Sequence, residues 1–369
     1  MKILFIGDYS GLHATLARCL KARGHDVMLI SDRGAFMQTE SDRVICRRPG
    51  FMGSVSYFVE CLNALPGWKN YDVVQLINPN FLKLRPSKLE YFFKFLKSNN
   101  RLVCLTLAGN DYHFVKACVE GRMFRYSEFR IGELPTTFVH KNPAREKGWM
   151  SFENQRYATM LYKNIDGAMA VLPEYYMSAE PWLKDRICYT GIPIERNQLC
   201  HPHKFDYPIR FFAGIKSGMK LQKGFDVIIP ALKRLCVRYP DKCQLKIVRD
   251  LPLDKYLDEM SGGDVVLDQL YSYSPATNAL QAMAMGSVAV SGAEPEFYEF
   301  IGEKNLRPIV RLNPFTNIEK ELERLINSPE QLSRLSADGI EFVKQHNDSD
   351  IITDRFVACW ASLMSKKYE

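Results

Sequence analysis

The chain has 369 residues, of which 46% are apolar and 25% charged, and these values are typical of a globular protein of about two domains. The net charge of +7 is modest for this length; without an arginine-rich run or a finger motif it argues against a nucleic-acid partner, and it is compatible with an anionic ligand or peripheral association with a membrane surface. No apolar run approaches the ~20 residues of a membrane-spanning helix, and the ten cysteines form no C-x-x-C pair, so we predict reduced core thiols and a cytoplasmic location.

The first half alternates apolar strands with amphipathic helices. The opening run "KILFI" ends at Gly7, which is too early for a signal peptide and indicates a buried first strand. Further strands are predicted at 26–31, 71–79, 101–109, 166–172 and 186–192, and helices at 12–23, 88–98 and 153–164. Strands that are apolar on both faces and separated by helices predict a parallel sheet covered on both sides.

Two loops in this half follow predicted strands and carry polar side chains. "GDYSG" lacks the G-x-G-x-x-G fingerprint, so it gives little support to a dinucleotide site. Its groups, and those of "LAGNDYHF", are placed to bind an acceptor, although tight turns with ordinary capping residues are the alternative. The predicted acceptor contacts are Asp8, Tyr9, Ser10, His13 and Asp111.

Residues 113–152 interrupt the pattern with aromatic and basic residues that have no clear period. We interpret them as an insertion over the sheet, which is either a lid or acceptor-binding segment or an irregular surface loop. The segment 191–208, rich in proline, histidine and polar residues, marks the domain boundary.

The second half restarts the α/β pattern. Strands are predicted at 209–215, 243–250, 264–270, 287–292 and 309–312, and helices at 224–238, 253–260, 317–327, 330–345 and 350–365. Two parallel α/β domains imply a cleft between the carboxyl ends of their strands, and ligands of such sheets bind there.

The loop "GIKSGMKLQKG" follows the first strand of the second half. It offers Lys216, Lys220 and Lys223, which together can neutralise a diphosphate; a solvated basic loop is the alternative. The spacing does not match a Walker A motif.

The stretch "LYSYSPATNALQAMAMG" leads from another strand into a small-residue helix. With Ser274 as N-cap and Pro275 in the first turn, it is either a plain helix cap or a diphosphate site. In the second case the N–H groups of Ala276, Thr277 and Asn278 would bind the anion, because helix N-termini favour negative charge.

Two further features have more than one interpretation. In "SGAEPEFYE", Glu294 or Glu296 could hold ribose or sugar hydroxyls, or both could be ordinary loop acids. His201 and His203 have ligand-like spacing, but no cysteine or acid cluster accompanies them, so no metal site is predicted.

Four stretches, in chain order, resemble those of one enzyme family. They are "MKILFIGDYSGLHATLARCLKARGHDVMLIS", "LTLAGND", "GIKSGMKLQKGFDVIIPAL" and "DVVLDQLYSYSPATNALQAMAMGSVAVSG". On these motifs the chain resembles the GT-B-fold glycosyltransferases of the large, mostly retaining family that includes bacterial mannosyltransferases and lipopolysaccharide-sugar transferases. The resemblance covers nearly the whole chain, and the last two motifs together are fairly specific.

The resemblance implies two Rossmann-like parallel-sheet domains that face a cleft. It implies a nucleotide-diphospho-sugar as co-substrate, held mainly by the second domain, and no other cofactor. It assigns Lys223, with Lys216 or Lys220, to the leaving diphosphate, where positive charge catalyses electrostatically. The backbone N–H groups of the Thr277 loop would bind the same charge.

The chain departs from the family at four places, one of which is the usual donor-loop arginine, replaced here by lysine. Tyr273 and Gln281 stand where the family has two glutamates eight positions apart, and Ala108 stands where it has a histidine. Gln281 can still accept a hydrogen bond from a ribose hydroxyl, but without charge, whereas Tyr273 cannot act as a carboxylate.

We therefore predict a hexosyltransferase for surface-polysaccharide assembly. Its acceptor would be a glycan or a lipid-linked sugar, and the absence of a D-x-D motif at a strand end predicts metal-independent transfer. The predicted domains are 1–195 with 351–369, and 205–350, and the final helix would return to the first domain. A nucleotide-sugar epimerase of the same fold and an inactive binding module are the alternatives.

Overall fold

The chain divides into two compact units in a computed structural model that describes residues 1–32 and 39–368. Unit 1 contains the described residues within Met1–Lys116, Ala144–Pro193 and Ser349–Glu369, and unit 2 contains Ala117–Pro143 and Ile194–Asp348. Each unit is built on one parallel sheet.

The described part of the chain forms fourteen strands and fifteen α-helices. The strands are β1 (Lys2–Ile6), β2 (Asp26–Ser31), β3 (Arg43–Val44), β4 (Val73–Leu76), β5 (Leu102–Leu107), β6 (Arg130–Ile131), β7 (Leu134–Pro135), β8 (Gly167–Ala170), β9 (Ile187–Tyr189), β10 (Ile209–Ile215), β11 (Cys243–Arg249), β12 (Val265–Leu267), β13 (Val288–Ser291) and β14 (Val310–Arg311). The helices are α1 (Leu12–Ala22), α2 (Gly50–Ala64), α3 (Pro86–Asn99), α4 (Tyr112–Glu120), α5 (Thr137–Lys141), α6 (Pro143–Trp149), α7 (Phe152–Asn164), α8 (Pro173–Leu183), α9 (Phe225–Arg238), α10 (Leu253–Ser261), α11 (Thr277–Ala284), α12 (Pro295–Ile301), α13 (Ile318–Ile326), α14 (Pro329–His346) and α15 (Ser349–Tyr368).

The sheet of unit 1 has the order β3-β2-β1-β4-β5-β8-β9, and all its pairs are parallel. Its central strands are buried on both faces, as the continuous apolar runs predict. The strand order reverses between β1 and β4, so the loops after these strands flank the point where sheets of this kind bind ligands.

Two helices that the sequence predicts fix this sheet. Helix α1 ends at Ala22, and Gly24, two residues later, has a left-handed φ of 81°, as expected of a glycine that follows a helix C-terminus. Helix α15 returns to unit 1, where the buried Trp360 donates its indole N–H to Gln75 Oε1 of β4 at 2.9 Å.

The sheet of unit 2 has the order β11-β10-β12-β13-β14 and is also parallel throughout. Its larger core packs Ile228, Leu232 and Leu235 of α9 against β10 and β12, which explains the apolar periodicity of that helix. The order reverses between β10 and β12, so the loops after these two strands lie side by side at the carboxyl edge.

Residues Ala117–Pro143, which we call the strap, belong to unit 2. They include the end of α4, the short hairpin of β6 and β7, and α5. The sequence-based first domain, residues 1–195, had included this segment as an insertion over its own sheet. The difference arises because the strap's polar partners lie far along the chain, as in the ion pair of Arg125 with Glu294, 169 residues away.

Candidate functional site

A buried carboxylate lies at the reversal point of the second sheet. Asp268 directly follows β12 and is fully buried. Its Oδ1 accepts hydrogen bonds from Lys223 Nζ at 2.8 Å and Asn278 Nδ2 at 3.3 Å, and its Oδ2 accepts one from Ser291 Oγ at 2.9 Å. Asp268 therefore joins the lysine loop, the start of α11 and the end of β13. The sequence predicts the first two separately as diphosphate-binding segments.

Glycine at position 224 is required for this junction. Gly224 precedes α9 with a φ of 75°, and a Cβ there would lie 2.5 Å from the Cβ of Leu270. The Leu270 N–H also donates to the Lys223 carbonyl at 2.9 Å. The lysine loop is thus held directly against the loop that follows β12.

The three predicted lysines are in different environments. The side chain of Lys223 is 25% exposed and paired with Asp268, so part of its charge is already neutralised. Lys216 and Lys220 are exposed, and neither forms a salt bridge with another residue in the described ranges. Because an anionic ligand needs uncompensated positive charge, these two supply more of it than Lys223 does.

Helix α11 begins later than the Ser274 cap predicts. Its N-cap is Ala276, which offers no side-chain hydrogen bond, and Ser274 is fully buried two residues earlier. The prediction of Ser274 as N-cap and Pro275 in the first turn is therefore wrong. The reason is a turn before the helix, in which the Ser272 hydroxyl donates to the Ser274 carbonyl at 2.7 Å.

The amide groups at the start of α11 consequently lack a side-chain cap. Thr277 and Asn278 are partly exposed there, while Gln281, one turn further, is 8% exposed. The side-chain Oδ1 of Asn278 accepts a hydrogen bond from the Tyr256 hydroxyl, and burial raises the pKa of that hydroxyl, so it stays protonated. The helix N-terminus keeps its capacity for an anion.

Glu294, the predicted ribose contact, is surrounded by partners from its own unit. It is 2% exposed. Its Oε1 accepts from the Tyr126 hydroxyl at 2.8 Å and from Asn313 Nδ2 at 2.7 Å, and its Oε2 accepts from Arg125 at 2.9 Å and Arg311 at 3.4 Å. A ribose or sugar hydroxyl could bind this carboxylate only by replacing one of these four partners. The surroundings of Glu294 therefore do not favour its predicted contact with the nucleotide sugar.

In unit 1, two of the predicted acceptor residues serve the fold. His13 is fully buried: its Nδ1 lies 2.7 Å from the Gly7 carbonyl and its Nε2 lies 2.8 Å from Thr106 Oγ1. Asp111 is 4% exposed, and its two oxygens accept from the Phe114 N–H at 2.8 Å and the Tyr162 hydroxyl at 2.5 Å. Both side chains therefore have structural roles, and acceptor contact by either one stays a prediction that its burial does not favour.

The other three predicted residues lie at the reversal point of the first sheet. Tyr9 and Ser10 are exposed, and Asp8 accepts a hydrogen bond from the His13 N–H at 2.8 Å. Burial raises the pKa of Asp8 although this bond opposes it. Asp8 and Tyr9 line a cavity of about 60 Å³ beside Asp32 and Asn80, which is room for a few water molecules.

Within the described residues, no group of three or more histidine, cysteine, aspartate or glutamate side chains is arranged to hold a metal ion. Over the same residues, no helix is both long and apolar enough to cross a membrane.

Sequence comparisons identify no relative: no protein-family description matches the chain, and no curated protein matches it. Solved structures do match over nearly its whole length. Sucrose-phosphate synthase from Thermosynechococcus elongatus has a TM-score of 0.65 at 12% identity, covering 99% of this chain and 100% of its own. HepE from Anabaena, in complex with UDP and glucose, has a TM-score of 0.59 at 13% identity, covering 98% and 100%.

A third match is WaaG, a glycosyltransferase involved in lipopolysaccharide biosynthesis, with a TM-score of 0.60 at 13% identity, covering 97% of this chain and 98% of its own. The chain has the GT-B fold. A putative UDP-N-acetylglucosamine 2-epimerase from Listeria monocytogenes also matches, with a TM-score of 0.55 at 11% identity, covering 97% and 95%. The GT-B fold therefore accommodates more than one reaction, and activity must be argued from the residues.

Sequence reasoning missed four residues of this candidate site. Asp268 could have been found, because an acid at the end of the buried strand "DVVLDQL" needs a cationic partner. Arg125, Tyr126 and Tyr256 could not, because the partners of their side chains are distant in sequence and no local pattern indicates them.

Proposed function

We propose that the chain is a glycosyltransferase, which moves a sugar from a nucleotide-diphospho-sugar to a glycan or lipid-linked acceptor during surface-polysaccharide assembly. The meeting of Lys223 and Asn278 at Asp268, at the reversal point of the second sheet, carries the proposal. It unites a basic loop and an uncapped helix N-terminus, both suited to a diphosphate. The UDP and glucose bound to HepE and the lipopolysaccharide role of WaaG are consistent with this substrate class.

In the proposed reaction the bond between the anomeric carbon and a diphosphate oxygen breaks, and its electron pair stays on that oxygen. A bond forms between the anomeric carbon and the acceptor oxygen, whose proton passes to the leaving diphosphate. Negative charge grows on the leaving diphosphate. Lys216 and Lys220, which form no salt bridge within the described residues, stabilise this charge, while Lys223 and the N–H groups at Thr277 fix the position of the diphosphate. We include retention of anomeric configuration and independence from metal ions in the proposal.

The first test is binding. Isothermal titration of the full chain with UDP, GDP, UDP-glucose and GDP-mannose at low salt should detect at least one ligand below millimolar concentration. Binding of none of them would contradict the proposal.

The second test removes the unpaired charge. The double variant Lys216→Ala/Lys220→Ala should weaken nucleotide binding at least about tenfold, since each hydrogen bond to a charged group contributes about 1.5–3 kcal/mol. The matched control is Lys233→Ala, an exposed lysine of α9 in the same unit. Equal affinities in the double variant and the control would remove this loop from the site.

The two alternatives give different results in a turnover assay. An epimerase would convert a nucleotide sugar with no acceptor present. A binding module would retain nucleotide binding but transfer no sugar to any acceptor in a membrane or polysaccharide extract. Transfer that depends on an added acceptor supports the glycosyltransferase.

A further inference from the structure

The strap reaches the loops that follow four of the five strands of the second sheet. Glu128 accepts a hydrogen bond from Gln222 of the lysine loop at 2.6 Å. The Tyr126 ring stacks on Tyr273, after β12, with centroids 4.7 Å apart, and lies 6.0 Å from Phe315, after β14. The loop after β13 is reached through Glu294. The strap thus lies along the carboxyl edge at which parallel α/β sheets bind their ligands.

The strap is a fixed part of this edge. Its side chains Phe124, Tyr126, Phe129 and Phe138 are all at most 4% exposed. Lifting the strap would expose four large aromatic groups to water, which opposes an opening motion. A ligand at this edge therefore meets the strap in place.

Tyr273 and Glu294 anchor the strap through their side chains. The Tyr273 hydroxyl accepts the Arg125 backbone N–H at 2.6 Å, and the Arg125 guanidinium lies 5.3 Å from the centre of the Tyr273 ring. Tyr273 is only 9% exposed, and Glu294 already has four side-chain partners. Neither side chain is available to a sugar without rearrangement.

Arg125 is the accessible polar group of this anchor. Its side chain is 54% exposed, although it pairs with Glu294 and Glu296. The hydrogen bond with Glu296 raises the pKa of Arg125, so it is charged at any physiological pH. A guanidinium has five N–H donors, and two salt bridges leave others for a ligand.

We propose that Arg125 determines donor specificity: it contacts the sugar part of the nucleotide-sugar donor, and Tyr126 positions it for that contact. This inference rests on the proposed function and adds the residue that reads the sugar. Because a guanidinium only donates hydrogen bonds, it selects sugars that present acceptor oxygens at this point, such as hydroxyl, acetamido or carboxylate oxygens. Sugar recognition is thereby separated from diphosphate recognition, which belongs to the lysine loop and α11.

The experiment compares a nucleotide diphosphate with the intact nucleotide sugar. Arg125→Gln is titrated with UDP, GDP, UDP-glucose, UDP-glucuronate, UDP-N-acetylglucosamine and GDP-mannose. Relative to wild type, the affinity for the best nucleotide sugar should fall at least about tenfold, the effect of losing hydrogen bonds to a charged group, while the affinity for the matching diphosphate changes less than about twofold. The matched control is Arg122→Gln, an exposed arginine of the same strap that should leave both affinities unchanged.

A second variant separates positioning from contact. Tyr126→Phe keeps the ring on Tyr273 and loses the hydroxyl that bonds Glu294, so the fold is expected to survive. It should raise the KM of the nucleotide sugar and lower kcat by less than it raises KM, with the affinity for the diphosphate unchanged. Circular dichroism of each variant checks folding.

The outcomes distinguish the two proposals. If wild type binds neither diphosphates nor nucleotide sugars, the proposed function fails and this inference fails with it. If wild type binds both and Arg125→Gln either matches wild type or loses affinity equally for both ligand types, the inference alone is overturned.

Discussion

The buried imidazole of His13 makes the stability of unit 1 depend on pH. The Gly7 carbonyl can only accept, so His13 Nδ1 carries the proton and Nε2 accepts from the Thr106 hydroxyl. Burial lowers the pKa of His13 to about 3, against an ordinary value of 6.5. We expect the variant His13→Gln to remove this dependence while keeping a polar side chain at the site.

The sign and size of this pH dependence follow from the linkage between proton binding and folding. The unfolded chain takes up a proton near pH 6.5, and the folded chain does so only near pH 3. The stabilising contribution is therefore complete above pH 6.5 and is lost as the pH falls from 6.5 towards 3. With about 1.4 kcal/mol per pH unit, roughly 2 kcal/mol of unfolding free energy is lost between pH 7.5 and 5.0.

The tryptophans provide an assay for unit 1 alone. All four, Trp68, Trp149, Trp182 and Trp360, lie in unit 1, and the buried Trp360 lies 6.3 Å from Phe5, which itself contacts the His13 ring. Urea unfolding followed by tryptophan fluorescence at several pH values gives the free energy of that unit.

The other titrating groups are common to wild type and His13→Gln, so their contributions cancel when one unfolding free energy is subtracted from the other. The unfolding free energy of wild type minus that of His13→Gln should decrease by about 2 kcal/mol from pH 7.5 to 5.0. A difference that stays constant within about 0.5 kcal/mol would refute the neutral, buried imidazole and reopen an acceptor-binding role for His13.

Two other predictions concern unit 2, which has no tryptophan, so they are measured by circular dichroism in urea. A double-mutant cycle of Asp268→Asn and Lys223→Met should give a coupling free energy of about 1.5–3 kcal/mol. This value lies between those of surface pairs and fully buried pairs, because the Lys223 side chain is 25% exposed. Additive effects of the two substitutions would contradict the pairing. Gly224→Ala should destabilise unit 2 by at least about 2 kcal/mol, because the position has a left-handed φ and a Cβ there would approach Leu270 too closely. The control Gly262→Ala, where a Cβ would meet only an ordinary contact at 3.6 Å, should cost less than about 1 kcal/mol. Similar effects of both substitutions would count against the tight junction at Gly224.

The parts of the fold that depend on local pattern could be predicted from the sequence. Apolar runs such as "KILFI" and "DVMLIS" became strands at the expected positions, and the periodicity of 224–238 became α9. These signals are strong because a strand buried on both faces tolerates few polar residues. The positions of the lysine loop and of the loop before α11 could also be predicted, since each follows such a strand.

What could not be predicted depends on burial and long-range pairing. The polar residues His13 and Asp111 follow strand ends in the same way as Tyr9 does, yet only Tyr9 is exposed. The pattern gives the position of a residue along the chain but not the depth of its side chain. In the same way, no local feature distinguishes Arg125 from Arg122, three residues earlier on the strap, until the fold places Glu294 and Glu296 beside Arg125.

The pairing of charges at the carboxyl edge of unit 2 changes what Lys223 is expected to do. Asp268 is fully buried, so removing its cationic partner would leave an uncompensated buried charge beside the proposed diphosphate site. A Lys223→Ala variant would thus lose stability and nucleotide affinity together, and its affinity alone could not establish contact with the ligand. Lys216 and Lys220 have no such partner in the described ranges, so a loss of affinity without a loss of stability in their variants is the cleaner evidence of a diphosphate at this edge.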